Sequence, residues 1–318
     1  MDFALCVSDT YAQYAMVTIK SILENNPKQN CHFHILTKDM HCNTRKQLQD
    51  LCSDSWINII EVDDTILKGL NVGQWQIYTW FRVLLPELLK EVSLVLYLDA
   101  DTIVVDNIES LFSINMLGKS IAASLDLDTM SEKVYKRCEY AQSKGYICAG
   151  VLLMNLDYWR ENDLTRKILE MSMIKKYEYA DQDAINYLCQ DTKIILPLKY
   201  DIVYYYLTRP YFRVKMPQEC IEMIEHPQII HYAGLVPWIK EKDKHFFSYL
   251  WHYYNHLLPT PAKTYKINKG YRYYVHLLKV ILHYWGLSNY NPWYVSTKRI
   301  NLNSVLKELK EANKSIKI

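Results

Sequence analysis

The 318-residue sequence has little glycine and proline and no long hydrophobic run. It holds 8 glycines and 10 prolines, a composition that excludes collagen-like and low-complexity chains. No apolar stretch reaches the roughly 18 uninterrupted residues that a membrane span needs. The segment Met1–Asp9 has neither a basic leader nor a long apolar core, so the sequence predicts no secretory signal.

Several cysteine and glycine motifs are also missing. The eight cysteines include no Cys-x-x-Cys pair, which argues against a zinc ribbon or a disulfide framework and favours a cytoplasmic location. Histidines and cysteines cluster between residues 31 and 42, but they match no zinc spacing and we interpret them as structural. Without Gly-x-Gly-x-x-Gly or a P-loop, the chain lacks the phosphate-binding backbone of dinucleotide oxidoreductases and NTPases.

Half of the residues are apolar, which is enough to bury a large core. The net charge of +2 is unevenly distributed, because the segment from Pro261 onward carries 11 Lys and Arg against 2 Glu, a difference of +9. The remainder is therefore about −7. This asymmetry predicts two regions, a domain over residues 1–260 and a basic, aromatic helical region over 261–318.

The first 62 residues alternate between β-rich and amphipathic segments. FALCVS, CHFHILTK and INIIEVD read as strands, and the two stretches between them read as helices, which predicts a parallel α/β sheet with crossover helices. A further helix is predicted from Ile77 to Leu89, with a bend or break near Pro86, and it is followed by a buried central strand at Leu94–Leu98. Ligands of such sheets bind beyond the carboxyl ends of the strands.

Two carboxylates, Asp99 and Asp101, directly follow that strand. Because the chain leaves the sheet there, both side chains can reach one magnesium or manganese ion. An EF-hand is excluded because apolar residues follow where further oxygen ligands and a glycine are needed. A haloacid-dehalogenase-like phosphatase, which also begins with Asp-x-Asp, stays open as an alternative, although Ile103 stands where Thr or Val is expected.

This pair lies in the third of five ordered blocks, which are CVSDTYAQY, YTWFRVLLPELL, YLDADTIV, CAGVLLMNLDYW with ADQDAIN, and IIHYAGLVPW. Over about 240 residues they resemble glycosyltransferase family 8, the retaining group that includes bacterial lipopolysaccharide and capsule galactosyl- and glucosyltransferases and the glycogenins. The resemblance implies a GT-A-type fold, a Rossmann-like, mostly parallel α/β sheet flanked by helices, here with a small C-terminal helical appendage.

The resemblance also implies an activity. It predicts a retaining enzyme that moves galactose or glucose from a UDP-sugar to a glycan, glycolipid or glycoprotein acceptor, with manganese, or alternatively magnesium, as cofactor. Asp99, Asp101 and His231 would bind the metal. Gln182, Asp181 and Asp126 would serve catalysis in the sugar pocket. The other predicted donor-binding residues are Val7, Ser8, Asp9, Thr10, Tyr11, Arg82, Ala100, Cys148, Ala149, Gly150, Gly234 and Lys240.

Two positions depart from the family pattern. Cys148 replaces an asparagine that contacts the donor sugar, and the usual lysine before Pro237 is missing. Either Lys240 or Lys242 would supply that charge, or the enzyme would depend more heavily on the metal. A nucleotide-sugar-binding protein of the same fold with little or no activity is therefore a second hypothesis.

The basic tail leaves two interpretations open. Residues 261–318 either contact the inner face of the cell membrane as a peripheral segment or pack on the core as a helical subdomain. No nucleic-acid partner is expected, because the five blocks already account for the chemistry.

Overall fold

The computed structural model describes residues 1–52, 56–70, 72, 76–127, 132–139, 141–208 and 216–265, together with Lys307, Leu309 and Lys310. The tail helix predicted over residues 274–285 lies outside the described residues. Of the second predicted tail helix, only those last three residues are described, and all three are helical.

Ten strands of the described residues form two sheets. Their bounds are β1 Asp2–Cys6, β2 His32–Thr37, β3 Trp56–Glu61, β4 Leu94–Leu98, β5 Thr102–Val104, β6 Ile121–Ser124, β7 Val151–Asn155, β8 Lys193–Leu196, β9 Ile202–Val203 and β10 Ile229–His231.

Helices cover these sheets. The α-helices span Asp9–Asn25, Cys42–Leu51, Leu85–Leu88, Glu109–Phe112, Glu132–Cys138, Leu156–Glu161, Leu164–Ile174, Ala180–Leu188, Tyr204–Thr208, Pro217–Glu225 and Ser248–His256. Short 3-10 helices span Asp64–Leu67, Ile77–Leu84, Gln142–Lys144 and Leu198–Tyr200.

The predicted helix from Ile77 to Leu89 differs in kind from the expectation. It is a 3-10 helix over Ile77–Leu84, and only Leu85–Leu88 is α-helical. Pro86 explains the break between the two, because proline lacks the N–H of an i to i−4 bond and its ring clashes with the carbonyl four residues earlier. An α-helix therefore cannot run unbroken through this segment.

The larger sheet has the order β3-β2-β1-β4-β7-β6-β8, with β4 in the middle. The first four of these strands are parallel to one another, as are β6 and β8, whereas β7 is antiparallel to both of its neighbours. The mostly parallel α/β sheet is thus confirmed, and so is the central place of Leu94–Leu98. Because β7 runs the other way, Val151 pairs with Leu98, and the residues just before β7 lie beside Asp99.

The smaller sheet has the order β5-β10-β9 and begins where β4 ends. The turn Asp99–Asp101 leads directly from β4 into β5. His231, the last residue of β10, pairs with Thr102 of β5 on one side and Val203 of β9 on the other. This sheet therefore brings His231 to the acidic turn.

The described part of the tail contacts the main domain. Leu309 is buried among the residues of the main hydrophobic core, and Lys310 Nζ lies 2.6 Å from Oε1 of Glu225. At these positions the tail packs on the core, while the boundary near residue 260 remains a prediction. Among the described residues, no helix combines the length and the hydropathy required to cross a membrane.

Candidate functional site

A cavity of about 290 Å³ opens where β4 ends. The predicted site residues that line it are Arg82, Asp99, Asp101, Asp126, Cys148, Ala149, Gly150, Asp181, Gln182, His231 and Gly234. The sequence did not indicate its other lining residues, Thr79, Tyr179, Val203, Tyr205, Tyr206 and Ala233. Residues from several separate segments between Thr79 and Gly234 thus face one space.

Backbone hydrogen bonds fix the acidic turn at the floor of this cavity. The Asp99 N–H donates to the carbonyl of Gly150 over 2.8 Å, and the Tyr232 N–H donates to the carbonyl of Asp101 over 2.9 Å. The Thr102 N–H closes the turn onto the carbonyl of Asp99 over 3.1 Å. The backbone of the acidic turn is therefore held from both sides, so Asp99 and Asp101 do not lie on a free loop.

Asp99, Asp101 and His231 form a candidate metal site. His231 Nε2 lies 3.4 Å from Asp101 Oδ1 and 3.9 Å from Asp99 Oδ2, and one ligand atom from each residue lies within 4.8 Å of the others. Two carboxylates and one imidazole suit Mn²⁺ or Mg²⁺ better than a thiophilic metal. A Cβ on Gly150 would lie 2.2 Å from His231 Cε1, so only glycine lets the ring approach this closely.

Asp201 was not identified from the sequence. Its Oδ1 lies 2.9 Å from His231 Nδ1, and the side chain is fully buried. An ionised carboxylate only accepts hydrogen bonds, so Nδ1 carries the proton and Nε2 faces the acidic turn. The sequence KYDIVYYY carries no sign of this contact, because the pairing of β9 with β10 creates it.

The acidic side chains around His231 and the His231 imidazole shift each other's pKa values toward the charged forms. Burial opposes protonation of His231, but Asp201 and Asp101 outweigh it and raise its pKa well above the ordinary value. Burial likewise opposes ionisation of Asp101, but His231 holds the pKa of that carboxyl below its ordinary value.

Arg82 is buried beneath the cavity, and its guanidinium joins two acidic groups. Its Nη2 lies 3.2 Å from Asp99 Oδ1, and its Nε lies 3.0 Å from Asp181 Oδ2. The guanidinium carbon stacks 4.3 Å from the centre of the Tyr97 ring, and the Tyr97 hydroxyl donates to Asp99 Oδ1 over 2.6 Å. Burial disfavours the charge, but Asp181 and Asp99 raise the pKa of Arg82. Arg82 is thus a fixed cation, although the sequence allowed a surface charge.

Asp181 is incompletely paired despite its proximity to Arg82. The Arg82 Nε–H points to the carbonyl of Thr79 over 3.0 Å, and Asp181 Oδ2 accepts no hydrogen bond from the residues that the structure describes. Arg82 is also shared with Asp99. Burial therefore outweighs the attraction of the cation and raises the pKa of Asp181 to about 6. Oδ2 of Asp181 can therefore accept a hydrogen bond from a polar ligand.

Gln182 is held in one orientation. Its Oε1 accepts the Ala149 N–H over 2.9 Å, and its Nε2 donates to Asp126 Oδ2 over 3.0 Å and to the Tyr146 hydroxyl over 3.2 Å. A backbone N–H can only donate and a carboxylate can only accept, so this network fixes which atom is the oxygen. The second lone pair of Oε1 is left for the cavity.

Part of the predicted donor site lies outside the cavity lining. Val7, Ser8, Asp9, Thr10, Tyr11, Ala100 and Lys240 are not among the lining residues. Ser8 is the N-cap of helix Asp9–Asn25, and its Oγ accepts the Tyr11 N–H over 3.3 Å. Lys240 is exposed. The nucleotide contacts assigned to these residues remain predictions.

Comparison with known proteins decides the family. Residues 2–242 match the family described as Glycosyl transferase family 8. The chain belongs to glycosyltransferase family 8. Membership sets the phosphatase alternative aside, because family 8 proteins are glycosyltransferases.

Some relatives of this family 8 glycosyltransferase are named as lipopolysaccharide glucosyl- or galactosyltransferases. Lipopolysaccharide 1,2-glucosyltransferase of Escherichia coli is 28% identical over 243 residues, covering 73% of this chain and 71% of that protein. Lipopolysaccharide 1,3-galactosyltransferase of Salmonella typhimurium is 26% identical over 54% of each chain. The crystal structure of galactosyltransferase LgtC with donor and acceptor sugar analogues shares the fold, with a TM-score of 0.71 and 24% identity over 82% of this chain and 97% of that one.

Proposed function

We propose that this enzyme transfers glucose or galactose from a UDP-sugar to a glycan acceptor during synthesis of lipopolysaccharide or a related surface polysaccharide. The observation that carries the proposal is the meeting of Asp99, Asp101, His231, Asp181 and Gln182 in one cavity. The glucosyl- and galactosyltransferases among the relatives support the donor class. They do not distinguish the two sugars, because both activities occur among them.

Asp99, Asp101 and His231 are the residues that would hold Mn²⁺ or Mg²⁺. The fit rests on their donor set and on the short distances between their ligand atoms. When bound, a divalent ion supplies Lewis-acid stabilisation of the charge that develops on a departing diphosphate.

The other residues of the cavity position the donor sugar. Asp181 offers a buried carboxylate oxygen without a hydrogen bond from the described residues, which would accept hydroxyl groups of the hexose. Gln182 and Asp126, which are hydrogen-bonded to each other, also line the cavity and would stabilise positive charge at the anomeric carbon electrostatically. Because Arg82 already pairs with Asp99 and Asp181, its role would be to hold both carboxylates in place.

Cys148 gives the pocket a chemistry that differs from the family pattern. Burial raises the pKa of its thiol, so the group is neutral and a weak hydrogen-bond donor. The expected asparagine would have offered an amide to the sugar. We propose that Cys148 shifts the choice between hexoses that differ in one hydroxyl.

A panel of UDP-sugars with a lipopolysaccharide core acceptor tests the proposal. We expect Mn²⁺-dependent addition of one hexose with retention of configuration, seen by mass spectrometry and by the NMR coupling constant of the new anomeric proton. EDTA should stop the transfer. Nucleotide binding without release of UDP, across the panel and with Mn²⁺ present, would instead favour the inactive binding protein.

We also propose peripheral membrane contact through residues 261–318, from their excess of basic residues and their aromatic content. Co-sedimentation with anionic liposomes of the full chain and of a chain that ends near residue 260 tests this. Equal binding by the two chains would refute it.

A further inference from the structure

The imidazole of His231 lies between two different sets of groups. Its Nε2 faces Asp99 and Asp101, as described above. Its Nδ1 lies 2.9 Å from Asp201 Oδ1 and 3.8 Å from Cys148 Sγ. The ligand atoms of Cys148, Asp201 and His231 lie within 4.8 Å of one another. The same ring could therefore serve an oxygen-rich site through Nε2 or a thiol-containing site through Nδ1.

Asp201 is placed on the Nδ1 side by the backbone. Its N–H donates to the carbonyl of Leu198 over 3.0 Å, and β9 begins at the next residue and pairs in parallel with β10. The carboxylate is fully buried and is not part of the cavity lining. It therefore contacts the ring from behind, away from the acidic turn.

We infer that Asp201 is a positioning residue that reserves Nε2 of His231 for the ion held with Asp99 and Asp101. By accepting the Nδ1–H, its carboxylate fixes the ring orientation and the tautomer that leaves the Nε2 lone pair free for a metal. The same bond keeps Nδ1 from joining Cys148 in a site that would suit zinc. This inference rests on the metal site of the proposed function and adds a residue that the sequence did not indicate.

Direct binding of Mn²⁺ to the full chain, measured by the loss of the free-ion EPR signal, tests the inference without requiring turnover. Asp201→Ala removes the acceptor, and we expect Mn²⁺ affinity to fall about 10- to 100-fold, the usual effect of losing such a partner. Asp201→Asn keeps a carbonyl oxygen for the Nδ1–H, so it should recover most of that loss.

Asp2→Asn is the matched control. Asp2 also pairs with a buried histidine, because its Oδ1 lies 3.0 Å from His34 Nε2. However, Asp2 begins β1, at the end of the strand away from the candidate metal site. It should leave Mn²⁺ affinity unchanged. Wild-type affinity in both Asp201 variants would overturn the inference, and so would an equal loss in the Asn and Ala variants. If Asp201→Ala does not fold, a loss in Asp201→Asn as large as that of Asp101→Ala overturns it.

Cobalt spectroscopy distinguishes the two sides of the ring. Co²⁺ bound through Nε2 gives no thiolate charge-transfer band, and we expect none in the wild-type protein. A band that disappears in Cys148→Ser would place the ion on the Cys148 side and overturn the inference. Failure of the wild-type chain to bind Mn²⁺ or Co²⁺ at all would instead count against the metal site of the proposed function.

Discussion

Replacement of Asp181 by asparagine should stabilise the fold at neutral pH while it removes the donor-binding carboxylate. Burial raises the pKa of Asp181 from 3.8 to about 6, even though Arg82 attracts the charge. Each pKa unit corresponds to about 1.4 kcal/mol, so the ionised side chain costs the folded state about 3 kcal/mol relative to the unfolded chain. Asparagine resembles the neutral acid in size and carries no such cost.

The raised pKa of Asp181 determines how the stability difference between the two proteins changes with pH. The folded state binds the proton more tightly, so the wild-type protein loses stability as pH rises from about 4, where the unfolded chain begins to ionise, through about 6. Above that range the loss is complete. The Asp181→Asn variant should therefore match the wild type near pH 4 and exceed it by about 3 kcal/mol at pH 7.

Urea unfolding of both proteins at several pH values measures this difference, with Asp183→Asn as the control in the same helix. Burial opposes ionisation of Asp183 too, but hydrogen bonds from Arg137 and Tyr146 prevail and lower its pKa. Its stabilisation is present at neutral pH and is lost as pH falls, so this variant should be less stable than the wild type at pH 7. An Asp181→Asn protein that is less stable at pH 7, or whose advantage does not change with pH, would refute the reasoning.

Three further changes probe the site. Gly150→Ala places a Cβ against the ring of His231 and should weaken Mn²⁺ binding in a folded protein, measured by EPR titration with circular dichroism as the check on folding; unchanged affinity contradicts it. Tyr97→Phe removes the hydroxyl that donates to Asp99 over 2.6 Å and should lower turnover about 10- to 150-fold, the value of one hydrogen bond of about 1.5 to 3 kcal/mol to a charged group; a wild-type rate would show that this bond is dispensable. Cys148→Asn should change the ratio of kcat/KM for UDP-glucose and UDP-galactose, and an unaltered ratio excludes Cys148 from sugar selection.

Local sequence was sufficient for the first four strands of the larger sheet and for the acidic turn, but it did not indicate that β7 runs antiparallel to its neighbours. The apolar run Leu94–Leu98 identified the central strand, and its end identified Asp99 and Asp101, because strand ends face the ligand in α/β sheets. The helix type over Ile77–Leu84 could not be predicted from the sequence. Hydrophobic spacing does not distinguish a short 3-10 helix from an α-helix when a proline follows.

The remaining site residues depend on contacts that sequence spacing does not contain. His231 was indicated only by the family resemblance, and its approach to the turn requires β10 to pair with β5. Asp201 depends on a two-residue strand, which has too few positions to show a period. The burial of Arg82 was also hidden, because an arginine in an amphipathic segment is usually a surface charge, and only packing against Tyr97, Asp99 and Asp181 shows otherwise.

The proposed metal site can be tested by following the release of UDP from UDP-glucose and UDP-galactose as Mn²⁺ is titrated into the wild-type chain and into Asp101→Ala. Asp101 lies 3.4 Å from His231 Nε2 at the proposed metal site. We expect saturable, Mn²⁺-dependent release by the wild type and none by the variant. Release by Asp101→Ala at the wild-type rate, or wild-type release that EDTA does not reduce, would contradict it.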